Sequence, residues 1–177
     1  MSQTRRIRMS CGETYETTHM QIVLVEPEIP QNTGCAARLA SATGTRLHLV
    51  EPLGFSLDSR YLKRAGLDYW PDVDMTVHPD WSTLVSELAE GRPAESRLRL
   101  FSARCGESLF EASFRGDEIL VFGCESKGLP SELLRQFPLQ CLTVPILPNV
   151  RSLNLANTVC VALYTALDRS GRLPVAP

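Results

Sequence analysis

Phe122-Gly-Cys-Glu-Ser-Lys-Gly-Leu-Pro130 and, further on, Asn149-Val-Arg-Ser-Leu-Asn-Leu155 decide how this chain is read. Each is a polar loop that directly follows an apolar, strand-like run. The first follows Glu118-Ile-Leu-Val-Phe122 and the second follows Cys141-Leu-Thr-Val-Pro-Ile-Leu147. A third loop of the same kind, Glu26-Pro-Glu-Ile-Pro-Gln-Asn-Thr-Gly34, follows the apolar run at 21–25. In open α/β sheets ligands bind in the crevice beyond the carboxyl ends of the strands. Three loops there, loaded with hydrogen-bonding side chains, point to a ligand pocket.

Outward from these loops the chain alternates strand and helix signals. Strands are expected at 21–25, 46–50, 73–77, 98–102, 118–122 and 141–146. A short alanine-rich helix is expected at 33–43, with Asn32 or Thr33 as its N-cap and Gly44 just past its end. Further helices are expected at 57–65, from Pro79-Asp80 to about residue 90, and at 130–136 with Pro130 near the first turn. The stretch between 102 and 118 gives no clear signal. A last helix, about 153–169, carries Leu155, Val159, Cys160, Val161, Leu163, Tyr164 and Leu167 on nearly every face, which implies burial on more than one side and a second subunit as a natural partner. The alternation predicts one α/β domain at 20–177, a mainly parallel sheet with helices on both faces. Residues 1–19 are polar and without periodicity and read as a flexible N-terminal tail; Met20 directly precedes the first strand, as if an upstream start had added it.

At 177 residues the chain suits a single domain with a proper core. Its 44% apolar and 21% charged content is ordinary for a globular protein. A formal net charge of −2 argues against broad, non-specific coating of nucleic acid. A local patch stays open: Arg60, Lys63 and Arg64 share a face if their segment is helical. The six cysteines form no Cys-x-x-Cys pair and have no neighbouring histidine, which fits neither a zinc site nor a secreted disulfide framework. They are expected as free thiols in a reducing cytoplasm, with no metal. No apolar run reaches the roughly 18–20 residues of a membrane span.

Several nucleotide sites are excluded. Gly123 and Gly128 have phosphate-loop spacing, but Leu129-Pro130 stands where Lys-Ser/Thr would reach phosphate and magnesium. The first strand ends in Glu-Pro-Glu-Ile-Pro rather than in the glycine-rich turn of a dinucleotide fold. A Gly-x-Ser-x-Gly nucleophile elbow is also missing.

Three blocks in order resemble the SPOUT methyltransferases, specifically the TrmL-like (YibK-like) branch of the SpoU tRNA 2′-O-methyltransferases. They are Glu26 to Gly34 continuing through Arg38 and Ala42-Thr-Gly44, then Phe122 to Pro130, then Val144-Pro145 with Arg151-Ser-Leu-Asn-Leu155. Glu51-Pro-Leu-Gly-Phe55 and Arg64-Ala-Gly-Leu-Asp-Tyr69 extend the match across nearly everything after Met20. The resemblance implies a parallel α/β fold with a C-terminal trefoil knot, an exception to the near absence of knots. It also implies a homodimer through the C-terminal helix and knot region, S-adenosylmethionine as cofactor, and tRNA as substrate.

By position in the blocks, the resemblance assigns Ser102, Gly123, Val144, Ser152 and Leu153 to the cofactor. Gly123 is consistent with a close backbone approach to a ligand. Ser152 either caps the last helix or bonds the cofactor. Asn32, Arg38, Glu125 and Asn154 match the polar positions around the reacting groups. Arg38 is the favoured catalytic candidate; since arginine is very hard to deprotonate, its expected part is electrostatic stabilisation of the developing oxyanion. Glu125 is expected to orient Arg38 or an asparagine, or simply to favour a helix N-terminus. Cys35 and Cys124 depart from the residues common at their positions, but both are small enough to leave the pocket intact. The expected activity is 2′-O-methylation of a tRNA ribose, at wobble nucleotide 34 (cytidine or modified uridine). Methylation of another tRNA or ribosomal RNA nucleotide, or a non-catalytic RNA-binding dimer, are the alternatives.

Overall fold

The computed structural model describes residues 5–7, 19–57, 73–89, 93–104 and 106–174. The expected helix at 57–65, the Arg60/Lys63/Arg64 face and the Arg64–Tyr69 motif therefore lie outside the described residues, apart from Leu57.

The first of the central strands is β2 (Gln21–Val25), and every residue of it is buried. That is what a parallel strand covered on both faces requires. It is flanked by β3 (Arg46–Val50) on one side and β7 (Ile119–Phe122) on the other, both parallel to it. Beyond β3 lies β4 (Met75–His78); beyond β7 lie β5 (Leu98–Phe101), β8 (Cys141–Thr143) and β6 (Glu107–Ser108), all parallel. β1 (Arg5–Ile7) pairs antiparallel along β4. The full order is β1–β4–β3–β2–β7–β5–β8–β6. Arg5–Ile7 thus departs from the tail expected there, and β6 supplies an element in the stretch that gave no signal. β8 is shorter than expected, because Pro145 cannot donate to a ladder.

The two faces of the sheet are covered by different helices. On one, Ile22, Leu24, Leu47, Leu49 and Phe122 meet α1 (Pro30–Thr43) and α4 (Leu155–Arg169), which pack on each other through Ala36, Ala40, Leu163 and their neighbours. On the other, Val23, Val25, Leu100 and Val121 meet α2 (Trp81–Leu88) and the short α3 (Ser131–Gln136). Asp80 caps α2, its Oδ1 accepting from Thr83 N at 2.8 Å. Gly44 ends α1 in the left-handed region at φ 65°, as its position in the sequence required.

β8 sits between β5 and β6, two strands joined only by residues 102–106. Its described ends, Ser102 and Gly106, close on β8 like a strap. Ser102 N donates to Leu142 O at 3.0 Å, and Leu109 N donates to Thr143 O at 2.8 Å. A β-carbon on Gly106, at φ 116°, would stand 2.6 Å from the Cys141 backbone.

Among the polar groups buried in or beside the sheet are the Glu118 carboxylate and the His48–His78 pair. The Glu118 carboxylate accepts from the backbone N–H of Arg115, Gly116 and Asp117 at 2.6, 2.9 and 3.2 Å, fixing the turn into β7. On β3 and β4, His48 Nδ1 and His78 Nε2 lie 2.9 Å apart under α2, with Glu87 Oε2 at 3.6 Å from His78 Nδ1. One proton serves the contact between the rings, so charging both would oppose two N–H groups. Burial holds His78 below its ordinary value of 6.5, against the raising influence of Glu87 and Asp80. A histidine held neutral on folding contributes stability that is full above pH 6.5 and is lost as pH falls through its lower folded value. We therefore expect the denaturant midpoint to drop between pH 7 and about 5, and to drop less steeply in His78→Gln, which keeps a hydrogen-bonding group but does not titrate. Parallel slopes in the two proteins would remove His78 from the account.

Candidate active site

The carboxyl ends of β2, β5 and β7 and the chain after β8 open onto one cleft of about 860 Å³. Phe101 and Phe122, the last residues of adjacent strands, stack within it at 4.6 Å between ring centroids and 13° between planes. Val144, Ile146 and Leu153 add apolar wall. The size lies within the roughly 300–1,000 Å³ of small-molecule sites, and so does the mix of apolar lining with a few polar groups.

Glu125 ties the second polar loop to the first, and through Asn32 the tie reaches the third. Its Oε2 accepts from Glu28 N at 2.8 Å; its Oε1 accepts from Ile29 N at 3.2 Å and from Asn32 Nδ2 at 2.9 Å. The carboxylate therefore closes the amino end of α1, where an anion is favoured. This corrects the cap expected for that helix. α1 begins at Pro30, with Ile29 in the N-cap position and no side-chain cap of its own. Pro30 needs no N–H partner at that point, and the missing acceptor comes from a distant loop. Asn32 is thereby released from capping. Its Oδ1 accepts from Asn154 Nδ2 at 3.0 Å, while Asn154 Oδ1 accepts from Asn157 N at 3.3 Å. Asn154, and not Ser152, is the N-cap of α4.

A second clasp runs beside the first. Glu28 accepts from Ser126 N at 2.9 Å and from Ser126 Oγ at 2.7 Å, and Arg151 Nη2 donates to Ser126 O at 3.1 Å. Glu28 and Ser126 were not singled out from sequence, although both lie inside the motifs; spacing alone does not reveal which polar residues face each other. Gly54 backs this loop: its N donates to Pro27 O at 2.9 Å, and a β-carbon there would lie 2.7 Å from Glu28 Cα.

Ser102, Gly123, Val144, Ser152 and Leu153 all line the cleft, as do Asn32, Glu125 and Asn154. The reason for Gly123 differs from the expected one. A β-carbon there would stand 2.0 Å from Gly128 C and 2.1 Å from Leu129 N, so the loop's own backbone fills the space. Gly128, at φ 74°, makes the return turn with nothing near its would-be β-carbon. Arg38 does not join the group. It is exposed and outside the cleft lining, because six residues along a helix carry it about 9 Å past Asn32 and about 240° around the axis. Glu26 lines the cleft at φ 51°, a left-handed conformation that costs a non-glycine residue roughly 1 kcal/mol or more.

Two measurements test this geometry. Gly123→Ala should lower stability by about 1–3 kcal/mol, the usual cost of overpacking, and weaken any cleft ligand at least tenfold; an unchanged melting temperature would refute the contact. In a double-mutant cycle, Asn32→Ala and Asn154→Ala should couple by about 1 kcal/mol, and strict additivity would show that their hydrogen bond carries nothing.

Known proteins resemble this chain over most of its length. The family model of the SpoU rRNA Methylase family matches residues 19–164. A tRNA (cytidine(34)-2′-O)-methyltransferase from Acidovorax sp. (strain JS42) is 48% identical over 146 residues, covering 82% of this chain and 88% of the relative. The one from Methylovorus glucosotrophus (strain SIP3-4) is 49% identical over 146 residues, covering 82% and 92%. A structure solved to explain the 2-OH methylation of C/U34 on tRNA superposes with a TM-score of 0.76 at 49% identity, over 85% of this chain and 95% of that one. A putative RNA methyltransferase from Bacillus anthracis gives 0.79 at 35% identity, over 89% and 99%. With the family's matched segment spanning every strand but β1, the cleft and most of α4, the chain is a member of the SpoU methylase family.

Proposed function

We propose that this chain methylates the 2′-hydroxyl of a tRNA ribose from S-adenosylmethionine, at wobble nucleotide 34, cytidine or modified uridine. The observation that carries the reading is the convergence of Asn32, Glu125 and Asn154, one from each polar block, on the cleft that Ser102, Gly123, Val144, Ser152 and Leu153 line. The names of relatives nearly half identical over most of both chains support the substrate.

The cleft fits the cofactor. Its apolar wall suits an adenine ring, and Ser102 and Ser152 offer hydroxyls for the polar end. When bound, the cofactor supplies an electrophilic methyl group on a sulfonium. The chain's own part is placement: holding a ribose oxygen in line is worth several kcal/mol on its own. Asn32 and Asn154 are locked by their mutual bond and by Glu125, so they present fixed dipoles rather than mobile ones. Arg104, Lys127 and Arg151 are exposed cations along the lining, suited to RNA phosphates despite the acidic net charge.

The same reading takes the protein as a cytoplasmic homodimer. Cys160, Val161 and Tyr164 form an exposed stripe on α4, continued by Leu147, Val150 and Leu153 before it. Such a face asks for a partner. Arg38 then acts at the partner's cleft, stabilising charge on the reacting oxygen. The approach of Ser102 and Gly106 to β8, from the short link between its two neighbours, supports the trefoil knot.

Incubation of the protein with labelled S-adenosylmethionine and tRNA lacking the modification should place label in a 2′-O-methylated nucleoside at position 34. Label at another position would keep the chemistry and discard the substrate; no label with the cofactor bound would leave an RNA-binding dimer. Tyr164→Glu should sediment as a monomer and lose at least tenfold in rate, and a fully active monomer would sink the dimer.

A further inference from the structure

Transfer of a methyl group to a hydroxyl releases one proton, and the cleft must hold a group to take it. Among the described residues, the carboxylates lining it are Glu26 and Glu125, and no histidine, tyrosine or aspartate joins them. Glu125 is engaged by three N–H donors that fix the loops. Both of its oxygens are occupied by those bonds, so neither is turned to the open cleft. Glu28, just outside the lining, is likewise held by Ser126. Arg104, Lys127 and Arg151 bring only positive charge. Cys124 is turned to its own loop, its Sγ 3.7 Å from Gly128 O.

Glu26 is different on each count. It stands at the carboxyl end of β2, next to the Phe101–Phe122 floor, and is exposed to the cleft. Its backbone N donates to Val50 O at 2.9 Å, yet its carboxylate makes no hydrogen bond or ion pair with any described residue. Its backbone is also held at φ 51° directly before Pro27, a position where proline already narrows the choices. Conformations of that kind persist where the surroundings impose them, and they gather at active sites. A glycine or asparagine would meet the turn with less strain.

We propose that Glu26 is the proton acceptor of the reaction. This rests on the ribose-methylation reading and deepens it. As the 2′-oxygen forms its bond to the methyl carbon, the carbon–sulfur bond breaks and its electron pair leaves with the neutral thioether. The hydroxyl proton passes to the Glu26 carboxylate and from there to water, so charge and atoms balance without another reagent.

The test compares wild type with Glu26→Gln, Glu26→Asp and Glu26→Gly, using S-adenosylmethionine and unmodified tRNA. For Glu26→Gln we expect a fall in kcat of about a hundredfold or more, loss of the acid limb of the kcat/KM profile, and Kd values for cofactor and tRNA within about twofold of wild type by calorimetry. Glu26→Asp should restore part of the rate together with the acid limb. Glu26→Gly should melt no lower than wild type while staying slow, which separates chemistry from folding. Wild-type turnover in Glu26→Gln, a retained acid limb, or a rate loss matched by weakened cofactor binding would each overturn the assignment. In all three cases the wild-type protein still methylates tRNA; failure of the wild type itself would instead remove the function on which the inference rests.

Discussion

The site depends on one carboxylate at the head of one helix. Glu125 meets the first backbone N–H groups of the Glu28–Ile29 turn and the side chain of Asn32. Charge-assisted bonds of this kind are roughly twice as strong as neutral ones, and the helix end adds its own field. From there order spreads outward: Asn32 holds Asn154, and Asn154 starts α4. Three loops brought together from positions 93 and 122 residues apart in the chain thus share one rigid frame. Replacing Glu125 would leave two backbone N–H groups at the head of α1 and the buried amide of Asn32 without this acceptor, so its loss would be felt in the frame before it was felt in the chemistry.

Parallel strands place these loops at one edge because every right-handed crossover returns the chain to the same end of the sheet. The order β2–β7–β5–β8 puts the ends of β7 and β5 side by side, and their last residues become the stacked floor. Gly123 and Gly128 then let the loop after β7 fold back on itself at van der Waals range. The cleft is therefore shaped by backbone proximity, with the polar clasps holding the loops in register.

Much of this was legible in the sequence, and what was not has a physical reason. The apolar runs at 21–25, 46–50 and 118–122 announce buried strands because their burial is two-sided and needs no partner to be recognised. Gly44 and Asp80 act locally and are read locally. The cap of α1 was misread because its acceptor lies on another loop, which no window of sequence contains. Ser152 was weighed as a cap when Asn154 holds that place, since both residue types suit it and only the packing of α4 decides. Arg38 is assigned by its place in the first block, and a motif position does not say which way a helix turns its side chain; here it is exposed outside the cleft lining. Two-residue β6 has too little sequence to signal anything; it exists because β8 offers it an edge.

The strap over β8 bears on how the protein ends as well as how it works. A strand with a neighbour on each edge, the two neighbours joined by a short link whose ends close on it, cannot peel away sideways. It leaves only by being drawn out lengthwise or after a flanking strand has let go. Both routes cross a barrier that the final contact energies do not measure. Persistence in heat or in the presence of proteases is then governed by a rate of escape rather than by an equilibrium constant. Two variants of equal thermodynamic stability can differ widely in half-life if one of them loosens the strap.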